Sequence, residues 1–233
     1  MTLIGADVAS YQTGLDLSKV VPDLAYVIAK TSEGTYYTDP SYQGFRSQTA
    51  HLGKPFLWYH VVSQEAALNQ VEHTLECVGD PTLPGMMDCE RLSAPGGPTW
   101  PQILAYARQA VSAGLNLRLI YLPHWYWEQI GSPDLTPLES LGLSLVSSQY
   151  ENPNSPADPG DQDSGWNSYG GLTPEFYQFT DNDPSAVGAI DLDAYRGDQD
   201  QLSALLARER DVSSAHEPLA PRARDQLWVS SDV

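Results

Sequence analysis

Short apolar runs alternate with segments of helical period along the first half of the chain, and this alternation sets the expected fold. Leu3 to Ala9, Ala25 to Thr31 and Pro55 to Val62 read as strands. So do Pro84 to Glu90, Leu117 to Leu122, Leu143 to Tyr150, Glu175 to Thr180 and Ala189 to Ala194. Between the early strands lie helical patterns at Leu17 to Val21, Pro40 to Leu52, Ser63 to Gly79 and Thr99 to Gly114. In the third of these, Ala67, Leu68, Val71, Leu75 and Val78 recur at helical spacing, with Ser63 as the expected N-cap. Gly53 and Gly114 follow the second and fourth as natural stops. Strands separated by helices imply βαβ units and a parallel sheet. About eight strands predict an α/β fold: a single irregular barrel of the TIM type, with helices sparse in the second half. We expect the barrel over residues 1–211 and a disordered tail or linker over 212–233, where Ser, Pro and Arg replace the apolar period. Glu151 to Gly171, rich in Pro, Gly, Asn and Asp, reads as a long loop.

Charge narrows the partners. Thirty acids against twelve bases give a formal charge of −18. Nucleic acid, whose phosphates must be met by Lys and Arg, is excluded as a partner, and an anionic membrane surface is disfavoured. No run approaches the ~18 apolar residues of a membrane span, so no membrane insertion is expected. The opening MTLIGADVASYQ lacks a basic region followed by an apolar core, so we expect synthesis without a secretory leader. The two cysteines, Cys77 and Cys89, form neither a disulfide framework nor a metal cluster. No metal and no cofactor is expected, and the chain is expected to act as a monomer.

The candidate chemistry lies in carboxylates at strand ends. In MMDCE, Met86 to Glu90, Asp88 and Glu90 are two apart. On a strand such residues share one face, with Cα atoms about 6–7 Å apart, while Cys89 between them points to the outer packing layer. Asp7 ends the first strand, and Asp191 and Asp193 end the last. A barrel delivers strand ends to one rim and makes its first and last strands neighbours, so these acids should converge there. A carboxylic acid in a crowded, partly dry cleft has a raised pKa and suits protonation of a glycosidic oxygen. Aromatic residues near the same ends (Trp58, Tyr59, Tyr121, Trp125, Tyr126, Trp127, Tyr150, Trp166, Tyr169) offer faces for sugar rings, though about half should be ordinary packing. Glu33 is expected to anchor its loop or pair with Lys30, and His60 to hydrogen-bond within the barrel.

These motifs resemble glycoside hydrolase family 25, the Chalaropsis-type lysozymes. IGADVASYQ is similar to that family's opening strand, YVIAKTSEGTYYTDPSY to its second strand and loop, and LWYHVV to its third. MMDCE matches its D-x-E, and LIYLPHWYW, SSQY, FYQFTD and AIDLDAY follow in the expected order over residues 3–197. The resemblance implies a peptidoglycan hydrolase that cleaves the β-1,4 bond between N-acetylmuramic acid and N-acetylglucosamine, retaining, with substrate assistance. It implies Glu90 as general acid, Asp88 as the carboxylate orienting the 2-acetamido group, and Asp7 and Asp191 as further catalytic acids. It implies Tyr59, Tyr121, Tyr150, Gln178 and Asp193 as substrate-binding residues. The expected partner is the peptidoglycan glycan strand, and the expected place of action is the bacterial cell wall, as in phage-mediated host lysis. The alternative is a glycan-binding or structural virion module with weak or no hydrolysis. Arg91, directly after the acid, departs from the family pattern.

Overall fold

The computed structural model describes residues 2–91, 96–150, 157–181 and 190–207. The expected tail over 212–233 lies outside the described residues. Nine strands form one sheet: β1 (Leu3–Val8), β2 (Tyr26–Glu33), β3 (Tyr37–Thr38), β4 (Phe56–Val61), β5 (Gly85–Asp88), β6 (Leu117–Tyr121), β7 (Ser144–Ser148), β8 (Phe176–Thr180) and β9 (Asp191–Tyr195). The order β1-β9-β8-β7-β6-β5-β4-β2 is closed by pairing of β1 with β2, so eight strands make a barrel. The two-residue β3 folds back on β2 as a hairpin. The helices are α1 (Tyr42–His51), α2 (Ala67–Val78), α3 (Trp100–Ser112), α4 (His124–Gln129), α5 (Thr136–Glu139) and α6 (Gln199–Ala207). As expected, helices after the fifth barrel strand, β6, are short until the last.

Strand alternation divides the apolar residues into two layers. Tyr26, Ile28, Leu57, Met86, Leu119, Val146 and Phe176 point inward and fill the barrel. Leu202 and Leu206 of α6 join this inner cluster. Because α6 follows the end of β9, it covers the end of the barrel opposite Asp191. The outward positions Val27, Trp58, Met87 and Cys89 pack against the helices, with Ile103 and Tyr106 of α3 among them. Cys89 is fully buried in this outer layer, as the alternation requires.

Three local expectations are corrected. Ser63 does not cap α2, which begins at Ala67. Instead the Ser63 N–H donates to Gln70 Oε1 at 2.8 Å, and Gln70 Nε2 donates to the Ser63 and Glu65 carbonyls. The Gln70 amide thus satisfies the backbone polar groups of a loop over 63–66. The expected helix from Leu17 is a single 3-10 turn, Leu17–Lys19, with Asp16 accepting from the Ser18 N–H. Most consequentially, β9 runs antiparallel to both β1 and β8. Asp191 therefore opens its strand rather than ending it. Reversal brings the start of β9 to the rim where its parallel neighbours end, so the expected convergence survives a wrong strand direction.

Candidate functional site

Four strands deliver the acids. Asp7, one residue from the end of β1, pairs in register with Asp191 of β9 and with Ile28 of β2. Asp88 closes β5, between Val61 of β4 and Tyr121 of β6. The Cys89 N–H still donates to the Tyr121 carbonyl at 2.9 Å, which holds the chain extended one residue further and sets Glu90 beyond it. A cavity of about 350 Å³ at this rim is lined by Asp7, Asp88, Glu90 and Asp191, together with Tyr59, Lys30 and Glu33. The side chains of four expected catalytic acids thus surround one hollow. Tyr11, Gln12 and Arg91 also border it.

Proximity and burial hold these carboxyls above their ordinary range. Asp7 is raised by burial and then by Asp193, Asp191, Asp88 and Glu90. Burial and Glu90 raise Asp88, against the pull of Lys30. Glu90 is raised by burial, with Lys30 again opposing. Asp191 is pushed up to about 7 by burial, Asp181 and Glu90. Like charges this close resist ionising together, which adds to the effect of burial in raising the cluster.

Lys30 was missed as a site residue; the sequence marked it only as a partner of Glu33. Two residues three apart on a regular strand point to opposite faces. Here the register of β2 against β4 slips between Lys30 and Ser32. The bulge at Thr31 resets the alternation, so Lys30 and Glu33 both face inward and pair at 2.7 Å. Burial works against the Lys30 ammonium, but the Glu33 hydrogen bond and charge keep its pKa above the usual value. It is the cation that draws Asp88 and Glu90 downward.

The expected substrate-binding residues divide. Tyr59 lines the cavity. Tyr121, Tyr150 and Gln178 form a separate cluster: Tyr121 OH donates to Gln178 Oε1 at 2.9 Å, and Tyr150 OH donates to the same oxygen. Asp193 is deeper, 1% exposed, paired with Gly5 and Gln178 and below the cavity wall. It acts on the site through its charge, as the strongest charged influence on Asp7. Of the remaining aromatics, only Trp125 is well exposed. Trp58 donates to the Leu83 carbonyl, Tyr126 to that of Pro98, and Trp127 to that of Pro133. With Trp166 and Tyr169 buried as well, packing claims five of the nine aromatics, about the expected half.

His60 also lies outside the cavity. It faces the helix layer, stacked on Tyr106 at 5.0 Å between ring centroids and bonded through Nδ1 to Ser32 Oγ at 2.9 Å. Burial lowers its pKa to about 3, so it is neutral and structural. Among the described residues no group of His, Cys, Asp and Glu is arranged to hold a metal ion.

The fold recurs in solved structures. The muramidase from Trichobolus zukalii superimposes with a TM-score of 0.71 at 22% identity, over 88% of this chain and 99% of that one. A family GH25 lysozyme from Aspergillus fumigatus gives 0.68 at 20% identity, over 89% and 100%. The fold is that of the family 25 lysozymes. The catalytic domain of endolysin ply40 from bacteriophage P40 of Listeria monocytogenes shares it at a TM-score of 0.64 and 16% identity, over 89% and 98%. At these identities the likeness is one of fold. The chain matches no protein-family model and no curated protein sequence. In this fold Asp88 closes the fourth barrel strand, β5, and Glu90 lies two residues beyond it.

Proposed function

We propose that this protein is a peptidoglycan hydrolase, an N-acetylmuramidase that cuts the β-1,4 bond between N-acetylmuramic acid and N-acetylglucosamine. One observation carries the reading: Asp7, Asp88, Glu90 and Asp191 line a single sugar-sized cavity whose carboxyls are held above their ordinary pKa. A pure glycan binder has no need of a proton-donating acid. The structural similarity to muramidases and a phage endolysin supports the same reading.

In the proposed reaction Glu90 gives its proton to the glycosidic oxygen as the C1–O bond breaks. The 2-acetamido oxygen of the same sugar attacks C1, oriented by Asp88, and a bond forms on the opposite face. Water, deprotonated by Glu90, then opens that ring and returns the original anomeric configuration. Asp7 and Asp191 supply negative potential for the developing oxocarbenium charge, and Lys30 limits how far Asp88 and Glu90 rise. Tyr59, Tyr121, Tyr150, Gln178 and Asp193 would contact or shape the glycan subsites. The protein would act on the bacterial cell wall as a monomer, in phage-mediated lysis, without metal or cofactor. Digestion of purified peptidoglycan followed by mass spectrometry of the new reducing ends tests this. Muramic acid ends are expected; glucosamine ends or peptide cuts would refute the proposal.

A further inference from the structure

The large exposed hydrophobic side chains are not scattered. Among the described residues they are Tyr11, Tyr36, Leu68, Trp125 and Tyr150. All five lie in connections that leave the C-terminal ends of β1, β2, β4, β6 and β7. These strands run parallel, so the five share the rim that carries the acids. The described connections at the opposite end of the barrel contribute none. Apolar surface confined to one end of a molecule marks a contact face.

Tyr11 is the barest of the five, 88% exposed, and it lines the acid cavity. The turn that carries it is fixed from both sides. Ser10–Gln12 is a single 3-10 turn directly after β1. The Ala9 N–H donates to Gln12 Oε1 at 2.9 Å, and the Ser10 N–H donates to Oδ2 of buried Asp39 at 2.9 Å. Ser10 Oγ and Tyr37 OH are bonded at 2.8 Å, and Leu15 and Leu17 bury the chain beyond. The backbone is therefore ordered without help from the Tyr11 ring. Tyr36 is placed by the other route: its hydroxyl donates to Glu33 Oε1 at 2.7 Å, on the cavity wall, while its ring stays 58% exposed. One ring is positioned by its backbone and the other by its hydroxyl, and both leave a face bare. A ligand meets them with little further ordering cost.

Gln12, Lys30 and Glu33 line the cavity beside these rings. Flat apolar faces set among hydrogen-bonding groups suit a pyranose, whose C–H faces alternate with hydroxyls, better than an apolar protein surface.

We infer that Tyr11 and Tyr36 form a sugar-stacking track leading out of the acid cavity on the β1–β2 side. Tyr11 holds the pyranose nearest the cavity, and Tyr36 holds one farther out. The inference rests on the proposed muramidase reading for its ligand, the glycan strand. It makes both tyrosines positioning residues and leaves proton transfer to Glu90.

The test measures binding of soluble strands of alternating N-acetylglucosamine and N-acetylmuramic acid to the full chain carrying Glu90→Gln, by titration calorimetry. Cleavage kinetics follow with Glu90 intact. Tyr11→Ala should weaken binding and raise KM by about tenfold, with kcat changed far less. Tyr11→Phe and Tyr11→Trp should bind as the parent does, because the ring face and not the hydroxyl carries the contact. Tyr36→Ala should weaken long strands and leave short ones unchanged. Tyr11→Ala removes no core contact, and the Phe and Trp variants separate recognition from folding. Parent-like affinity in Tyr11→Ala, or an equal loss in Tyr11→Phe and Tyr11→Trp, overturns the inference; wild-type cleavage of peptidoglycan then leaves the muramidase reading standing. Tyr11-dependent binding without cleavage by wild type overturns hydrolysis and keeps the track. Neither binding nor cleavage overturns both.

Discussion

Asp7 and Asp191 face one another in antiparallel register across the pairing of β1 with β9. Opposed residues in such a ladder have Cα atoms about 4.5–5.5 Å apart, so two carboxyls share one edge of the cavity. Asp191 keeps its proton until about pH 7, whereas in the unfolded chain it would lose it near 3.8. Between those values the folded state binds more protons than the unfolded, so this group's contribution to stability falls as pH rises and levels off above 7. Asp191→Asn should therefore leave Tm nearly unchanged at pH 4 and raise it by several degrees at pH 8, a gain on the order of a few kcal/mol. His60, neutral down to about pH 3, acts in the opposite sense in both proteins and cancels from the comparison. Calorimetry of the two proteins from pH 4 to 8 checks this; a Tm difference independent of pH would contradict it.

The Lys30–Glu33 pair predicts a kinetic signature. Lys30 draws down both Asp88 and Glu90. In Lys30→Met that pull is gone, Glu90 holds its proton to higher pH, and the alkaline limb of the pH–rate profile should move upward. Stability at neutral pH should fall by about 2 kcal/mol, because Glu33 loses its charged hydrogen-bond donor. The double variant Lys30→Met/Glu33→Gln should regain part of that loss. An alkaline limb at the wild-type position would remove Lys30 from the electrostatic role.

How far the site was legible follows from these two pairs. Strand alternation placed Asp88 and Glu90 together and sent Cys89 outward, because period two needs no tertiary information. The Lys30–Glu33 relation was hidden by the bulge at Thr31, which depends on how β2 registers against β4. Asp191 was assigned to the right rim through a wrong strand direction, since a short apolar run carries no mark of parallel or antiparallel pairing. Which aromatics pack was not legible one by one: Trp58 and Tyr126 are as apolar as cleft residues would be, and only their carbonyl partners reveal them as packing. Ser63 failed as a cap because Gln70, seven residues on, took its backbone N–H.

Two glycines predict opposite outcomes. Gly85 lies where an added Cβ would meet the Trp58 ring at 2.0 Å, inside the outer core. Gly85→Ala should destabilise by about 1–3 kcal/mol through overpacking. Gly44 is exposed within α1, with nothing within 4 Å of an added Cβ. Gly44→Ala should stabilise by about 0.5–1 kcal/mol by restricting the unfolded chain. Urea denaturation resolves both; equal effects would show that the close approach at Gly85 is not felt.

The central claim is that Glu90 donates the proton at the rim cavity. The most direct test is the initial rate of reducing-end release from purified peptidoglycan by wild type and Glu90→Gln, with the circular dichroism spectra and Tm of both compared. The account predicts a loss of about 10²–10⁴-fold with the fold unchanged. A folded Glu90→Gln variant that releases reducing ends at the wild-type rate would contradict it.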